Sequence, residues 1–100
     1  MSASFARGGG AGALGNGAET AVSSTAVEVL AAAATRKKAI IQNTGVAAVR
    51  IGASGVTSTT GLRLAAGDTV VFQMPDCPTN AIFAIRETAN DSIVLAQEVT

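Results

Sequence analysis

Histidine, tryptophan and tyrosine are all absent from this chain of 100 residues, which has one cysteine and three phenylalanines, Phe5, Phe72 and Phe83. The lack of histidine excludes His-based triads, imidazole metal ligands and the commonest general base. The lack of Tyr and Trp removes the exposed rings on which sugars and nucleobases usually stack. The lone Cys77 cannot form an internal disulfide, so folding does not depend on an oxidising compartment, and synthesis in a cytoplasm is expected. Seven basic and seven acidic residues cancel, so the positive field of a protein that neutralises phosphates is missing and no nucleic-acid partner is expected. No apolar run approaches the roughly 20 residues that span a bilayer. The N-terminus lacks the pattern of a secretory signal, and no membrane partner is expected.

What is present is an apolar but small-grained composition. Of the 48% apolar residues, twenty-one are alanine, so one copy has few large side chains to bury. A domain of this size removes only about 60–65% of its unfolded surface from water. Contacts with other chains are therefore expected to contribute to its stability.

Two regions differ in texture. Residues 1–24 are rich in Gly, Ala and Ser, with six glycines between Gly8 and Gly17, and read as a glycine-rich arm that cannot make its own core. Within it Gly10, Gly12 and Gly15 fit the spacing of a dinucleotide-binding loop. That loop needs a strand before it and a helix after it to hold a pyrophosphate, and neither is written here. The match follows from glycine-rich composition, and no cofactor is expected.

Residues 25–100 read as a body of short Val, Ile and Thr-rich runs broken by Gly and Asn, which is the pattern of strands and turns. Strands are expected at 26–31, 38–43, 47–53, 62–64, 69–74, 81–87 and 92–99. Asn43-Thr44-Gly45 reads as a tight hairpin, with similar turn signals at Gly67-Asp68 and Asn90-Asp91. Period-two alternation places Ile41, Val49, Ile51, Leu64, Phe72, Phe83, Ile85 and Leu95 on the inner face. At 25–36 the capping-box spacing of Thr25 and Glu28, with the alanine run after it, offers a helix instead. The alternation of Val27 and Val29 with Ala26 and Glu28 favours the strand. No crossover helices separate the later strands, so they should pair antiparallel. The expected fold is all-β, a small antiparallel β-sandwich or squashed barrel with a glycine-rich N-terminal arm.

Candidate catalytic chemistry is thin. The carboxylates Glu19, Glu28, Asp68, Asp76, Glu87, Asp91 and Glu98 fall in turns, in the arm or on polar strand faces. Cys77, between two prolines, has no histidine to make it a nucleophile. No enzyme activity is expected. The cluster Arg36-Lys37-Lys38 reads as a solvated strand entrance or as a contact for a partner's acidic patch.

The runs "TRKKAIIQNTGVAAVRIG", "TTGLRLAAGDTVVFQM" and "TNAIFAI" resemble small all-β virion proteins of tailed bacteriophages, over about residues 25–100. The resemblance implies a structural role on the particle, as a decoration or cement protein of the capsid. It offers neck, tail or fibre component as the alternative, and a receptor- or carbohydrate-binding β-module stands behind both. Implied partners are the major capsid protein or other virion subunits and further copies of the chain itself, with a trimer favoured. The implied location is the capsid surface. Phe5, Arg7 and Leu14 in the arm, with Arg36, Lys37 and Lys38, are the expected interface residues.

Overall fold

The computed structural model describes residues 12–100. Among the described residues the chain forms eight strands and no helix: β1 (Ala18–Val22), β2 (Val27–Leu30), β3 (Lys38–Asn43), β4 (Val49–Gly52), β5 (Leu62–Leu64), β6 (Thr69–Gln73), β7 (Ile82–Arg86) and β8 (Ser92–Val99). All pairs are antiparallel. The strands form two four-stranded sheets, β1-β8-β3-β6 and β2-β7-β4-β5. Apart from the β4–β5 hairpin, every connection carries the chain from one sheet to the other. This strand order is that of a jelly roll, two Greek keys closed into a sandwich.

The alternation of β3 and β4 is the clearest cause of the core. Ala39, Ile41 and Asn43 face inward from β3, and Val49 and Ile51 face them from β4. Ala39, Ile41, Val49 and Ile51 make one buried cluster with Val22, Leu64, Ile82, Ala84, Val94 and Ala96, against which Phe72 lies partly buried.

Over 25–36 the chain takes the favoured strand and not the alternative helix: β2 occupies Val27–Leu30, with a register shift between Glu28 and Leu30, and the alanines after it connect the sheets. Other expectations need correction. Ala18–Val22, expected in the arm, is β1, and its Val22 is fully buried. The sandwich therefore begins upstream of residue 25. The three expected turns are corners between sheets, not hairpins, because β3 and β4, β5 and β6, and β7 and β8 lie in different sheets. Finally, Phe83, Ile85 and Leu95 sit half-buried on outer faces, while Ile82, Ala84, Val94 and Ala96 point inward. Both parities of β7 and β8 are apolar, so alternation alone leaves their phase open. For β8 the phase is chosen by Ser92, whose hydroxyl must reach Asn43 inside the sandwich.

Gly45 shows why the β3–β4 corner is written with glycine. Its N–H donates to the Ile93 carbonyl at 3.1 Å, and a side chain there would run into Ser92.

Candidate interaction surface

The expected interface residues do not stay together. Phe5 and Arg7 lie outside the described residues. Leu14 bridges to Val99 at the end of β8 while leaving nearly half its surface exposed. Around it the Ala13 and Thr100 backbones exchange hydrogen bonds of 2.9 and 3.0 Å, and the Gly15 N–H donates to the Glu98 carbonyl. Residues 12–17 thus run along β8 ahead of β1. Between Leu14↔Val99 and Ala18↔Ala96 this segment has one residue more than β8, a bulge absorbed at Gly17, where φ is +80°. The Lys37 N–H reaches the Val99 carbonyl at 2.7 Å, and Lys38 stands opposite Val99 in the β3–β8 ladder. Leu14, Lys37 and Lys38 therefore gather around the C-terminal end of β8.

Arg36 leaves this group, and the expectation of a surface contact is corrected. The residue is 2% exposed. Its Nε donates to Glu98 Oε1 at 2.8 Å, Nη1 to the carbonyls of Pro78 and Asn80 at 2.8 and 3.0 Å, and Nη2 to the Ala31 carbonyl. One planar guanidinium thus ties together the β2–β3 loop, the β6–β7 loop and β8 at one end of the sandwich, a task suited to its rigid fork of donors. Cys77 lies beside this knot. Burial pushes its thiol above the ordinary value, more than the nearby Arg36 lowers it, so the thiol stays protonated at neutral pH and is a weak nucleophile.

At the other end Asn43 plays the corresponding part. Its Nδ2 donates to the carbonyls of Ala47 and Leu64 at 2.7 and 3.0 Å, and its Oδ1 accepts from the Gly45 N–H and the Ser92 hydroxyl. The "IIQN" run thus ends on a residue that links β3 to β5, to β8 and to the corner before β4.

Sequence reasoning misses a third polar group, on the outer face of the β2-β7-β4-β5 sheet. Arg50 and Arg63 are directly opposite each other across β4 and β5, an arrangement that repels. Glu87 lies between them, 2.8 Å from Arg50 Nη2 and 2.9 Å from Arg63 Nε. The Arg63 hydrogen bond is the main reason its carboxyl sits below the ordinary range, with Arg50 adding to the effect. The signal is the arginine at the centre of both "VRIG" and "LRL", legible only once those strands are paired.

The outer face of the β1-β8-β3-β6 sheet is different. Ile40 is paired with Val71 on β6 and with Gln97 on β8, and Leu95, opposite Gln42, and Ile93 add apolar groups along β8. Gln42, Gln73 and Gln97 alternate with them, while charge is confined to the margins at Glu19 and Lys38. Val71 and Ile93 are each more than 40% exposed. Between the sheets an open cleft of about 230 Å³ is lined mainly by Ile51, Phe72, Pro78 and Ile82. Its lining contains no titratable group, so it offers an apolar seat and no acid–base chemistry. Among the described residues no group of three or more Cys, Asp or Glu is placed to hold a metal, and no helix is long and apolar enough to cross a membrane.

Fold and surface together define a small jelly-roll β-sandwich with one outer sheet face that is apolar and glutamine-bearing between marginal charges. Compared with protein-family models, curated proteins and solved structures, the chain matches none.

Proposed function

We propose that this chain is a structural virion protein of a tailed bacteriophage, one that decorates and stabilises the capsid shell by assembly and performs no catalysis. The observation that carries the reading is the outer face built from Ile40, Val71, Ile93 and Leu95 with glutamines between them. Apolar surface with charge only at its margins suits contact with neighbouring subunits, where burial of each Å² contributes about 25 cal/mol. The resemblance of "IIQN", "VRIG" and "GDTVVF" to small phage virion proteins supports the same reading. So does the architecture, by analogy: jelly rolls recur in viral capsid and lectin domains, although a fold hosts many functions. Charge balance adds that attachment is governed by shape and apolar contact, with ionic anchoring secondary.

The test is co-sedimentation of the purified chain with phage particles that lack it. Ile93→Lys, at an exposed position, should sharply reduce occupancy without unfolding the chain. Raising salt from low to physiological levels should change occupancy little. Undiminished binding of the Ile93→Lys variant, or release by modest salt, contradicts the proposal.

A further inference from the structure

Each sheet leaves two strands at its margins, β1 and β6 in one and β2 and β5 in the other. A marginal strand offers a row of unpaired backbone groups to any extended chain, and proteins guard such rows with charge, bulges or shortness. Three of these margins are guarded. β1 carries Glu19 and follows the bulge at Gly17. β2 carries Glu28 and is broken by a register shift. β5 has three residues, the middle one Arg63. In contrast β6, "TVVFQ", has five residues with no charge, no proline and an unbroken register against β3.

The direction of its open row follows from one hydrogen bond. The Asn43 N–H donates to the Asp68 carbonyl at 2.9 Å, in register with Gln42↔Thr69 and Ile41↔Val70. Antiparallel pairs alternate between bonded and non-bonded, so the backbones of Val70 and Phe72 point toward β3. Those of Thr69, Val71 and Gln73 point outward. No residue of β6 is buried; Val71 is 45% exposed, and even the inward Val70 and Phe72 remain partly open.

We propose that β6 is a self-pairing edge, along which two copies of the chain join antiparallel about a two-fold axis at Val71. Val71 then meets the partner's Val71 and exchanges both backbone bonds with it, and Thr69 meets the partner's Gln73, whose carbonyl already accepts from the Asp76 N–H at 3.0 Å and whose N–H is the group offered to the mate. The two sheets become one, and the apolar outer face runs on from one copy to the next. Self-pairing is favoured because a two-fold contact uses one patch twice, whereas head-to-tail pairing needs a second unguarded margin. The contact is therefore two-fold, in place of the trimer implied by the resemblance. It goes beyond the virion reading and does not depend on it.

Five paired residues make a small contact, so association should be weak and reversible. Sedimentation velocity on the full chain, from about 10 µM to about 1 mM, should show a monomer giving way to a dimer. Val71→Pro removes an N–H that β3 does not use, and should leave a folded monomer at every concentration. Val71→Lys places like charges opposite each other and should weaken association at least about tenfold; it serves as the test if the proline variant fails to fold. Val46→Lys, at a corner position that is 90% exposed, should dimerise like the parent. A wild-type chain that stays monomeric, a trimer, or a dimer that survives both Val71 variants overturns the pairing. A monomer that still decorates particles does so while leaving the virion reading standing.

Discussion

The hydroxyl of Ser92 donates a 2.8 Å hydrogen bond to Oδ1 of Asn43, and both residues are buried although 49 positions separate them in the chain. This bond sets which face of β8 enters the core, and it completes the four partners of one side-chain amide. Replacing Asn43 with alanine strands the Ala47 and Leu64 carbonyls and the Ser92 hydroxyl inside the sandwich. Orphaned buried groups cost about 1–3 kcal/mol each when water cannot reach them. Asn43→Ala should therefore destabilise the chain by roughly 2–4 kcal/mol, read as a fall in melting temperature of at least about 10 °C. A shift within error would mean that the amide is dispensable.

Arg36 makes a contrasting prediction for the basic cluster. Arg36→Ala leaves the partly exposed Glu98 and three loop carbonyls without their donor, and orphaned acceptors that water cannot reach cost about 1–3 kcal/mol each. Arg36→Lys should not restore stability, since one ammonium cannot match the fork. Alanine at Lys37, whose bond to Val99 is made by its backbone N–H, should be mild by comparison. Chemical denaturation of the three variants checks the order, and equal midpoints would contradict it.

Glu87 predicts a pH dependence. Its carboxyl is held below its ordinary range by Arg63 and Arg50, so the folded form binds its proton less readily than the unfolded chain. Its contribution is present above the ordinary carboxylate range and is lost as pH falls through the lowered folded value. Glu87→Gln should be less stable than the parent at neutral pH, with the gap narrowing as pH drops toward 3. Thermal melts across that range measure it, and a gap independent of pH would reject the assignment.

Truncation locates the start of the folded unit. Deleting residues 2–11 should leave a cooperative transition. Deleting residues 2–22 removes β1 and the buried Val22, and should abolish that transition or lower its midpoint severely. Circular dichroism melts of both forms decide the matter, and a fully stable 2–22 deletion would show that β1 is an accessory.

How much of this was readable beforehand depended on side-chain size and distance in sequence. β3 and β4 are legible because large and small or polar groups alternate along them, as in Val49-Arg50-Ile51. β1 is hidden, since "AETAV" after a glycine run has one sizeable apolar group and is made a strand by β8. The phase of β7 is ambiguous where Phe83 and Ala84 are both apolar. Corners and hairpins share the same Asn and Gly chemistry, so Asn43-Thr44-Gly45 marks a reversal without saying which sheet follows. Arg36 reads as solvated because its acceptors, the Glu98 carboxylate and the carbonyls of Ala31, Pro78 and Asn80, are gathered only by the fold and have no signature in the sequence.

The role proposed for this chain is that of a repeated structural part of a virion. The most direct measurement is quantitative mass spectrometry of purified particles produced from the genome that encodes it. The account predicts copies in proportion to the major capsid protein, on the scale of shell subunits. Absence of the chain from intact particles, or its presence only in infected-cell lysate, would contradict it.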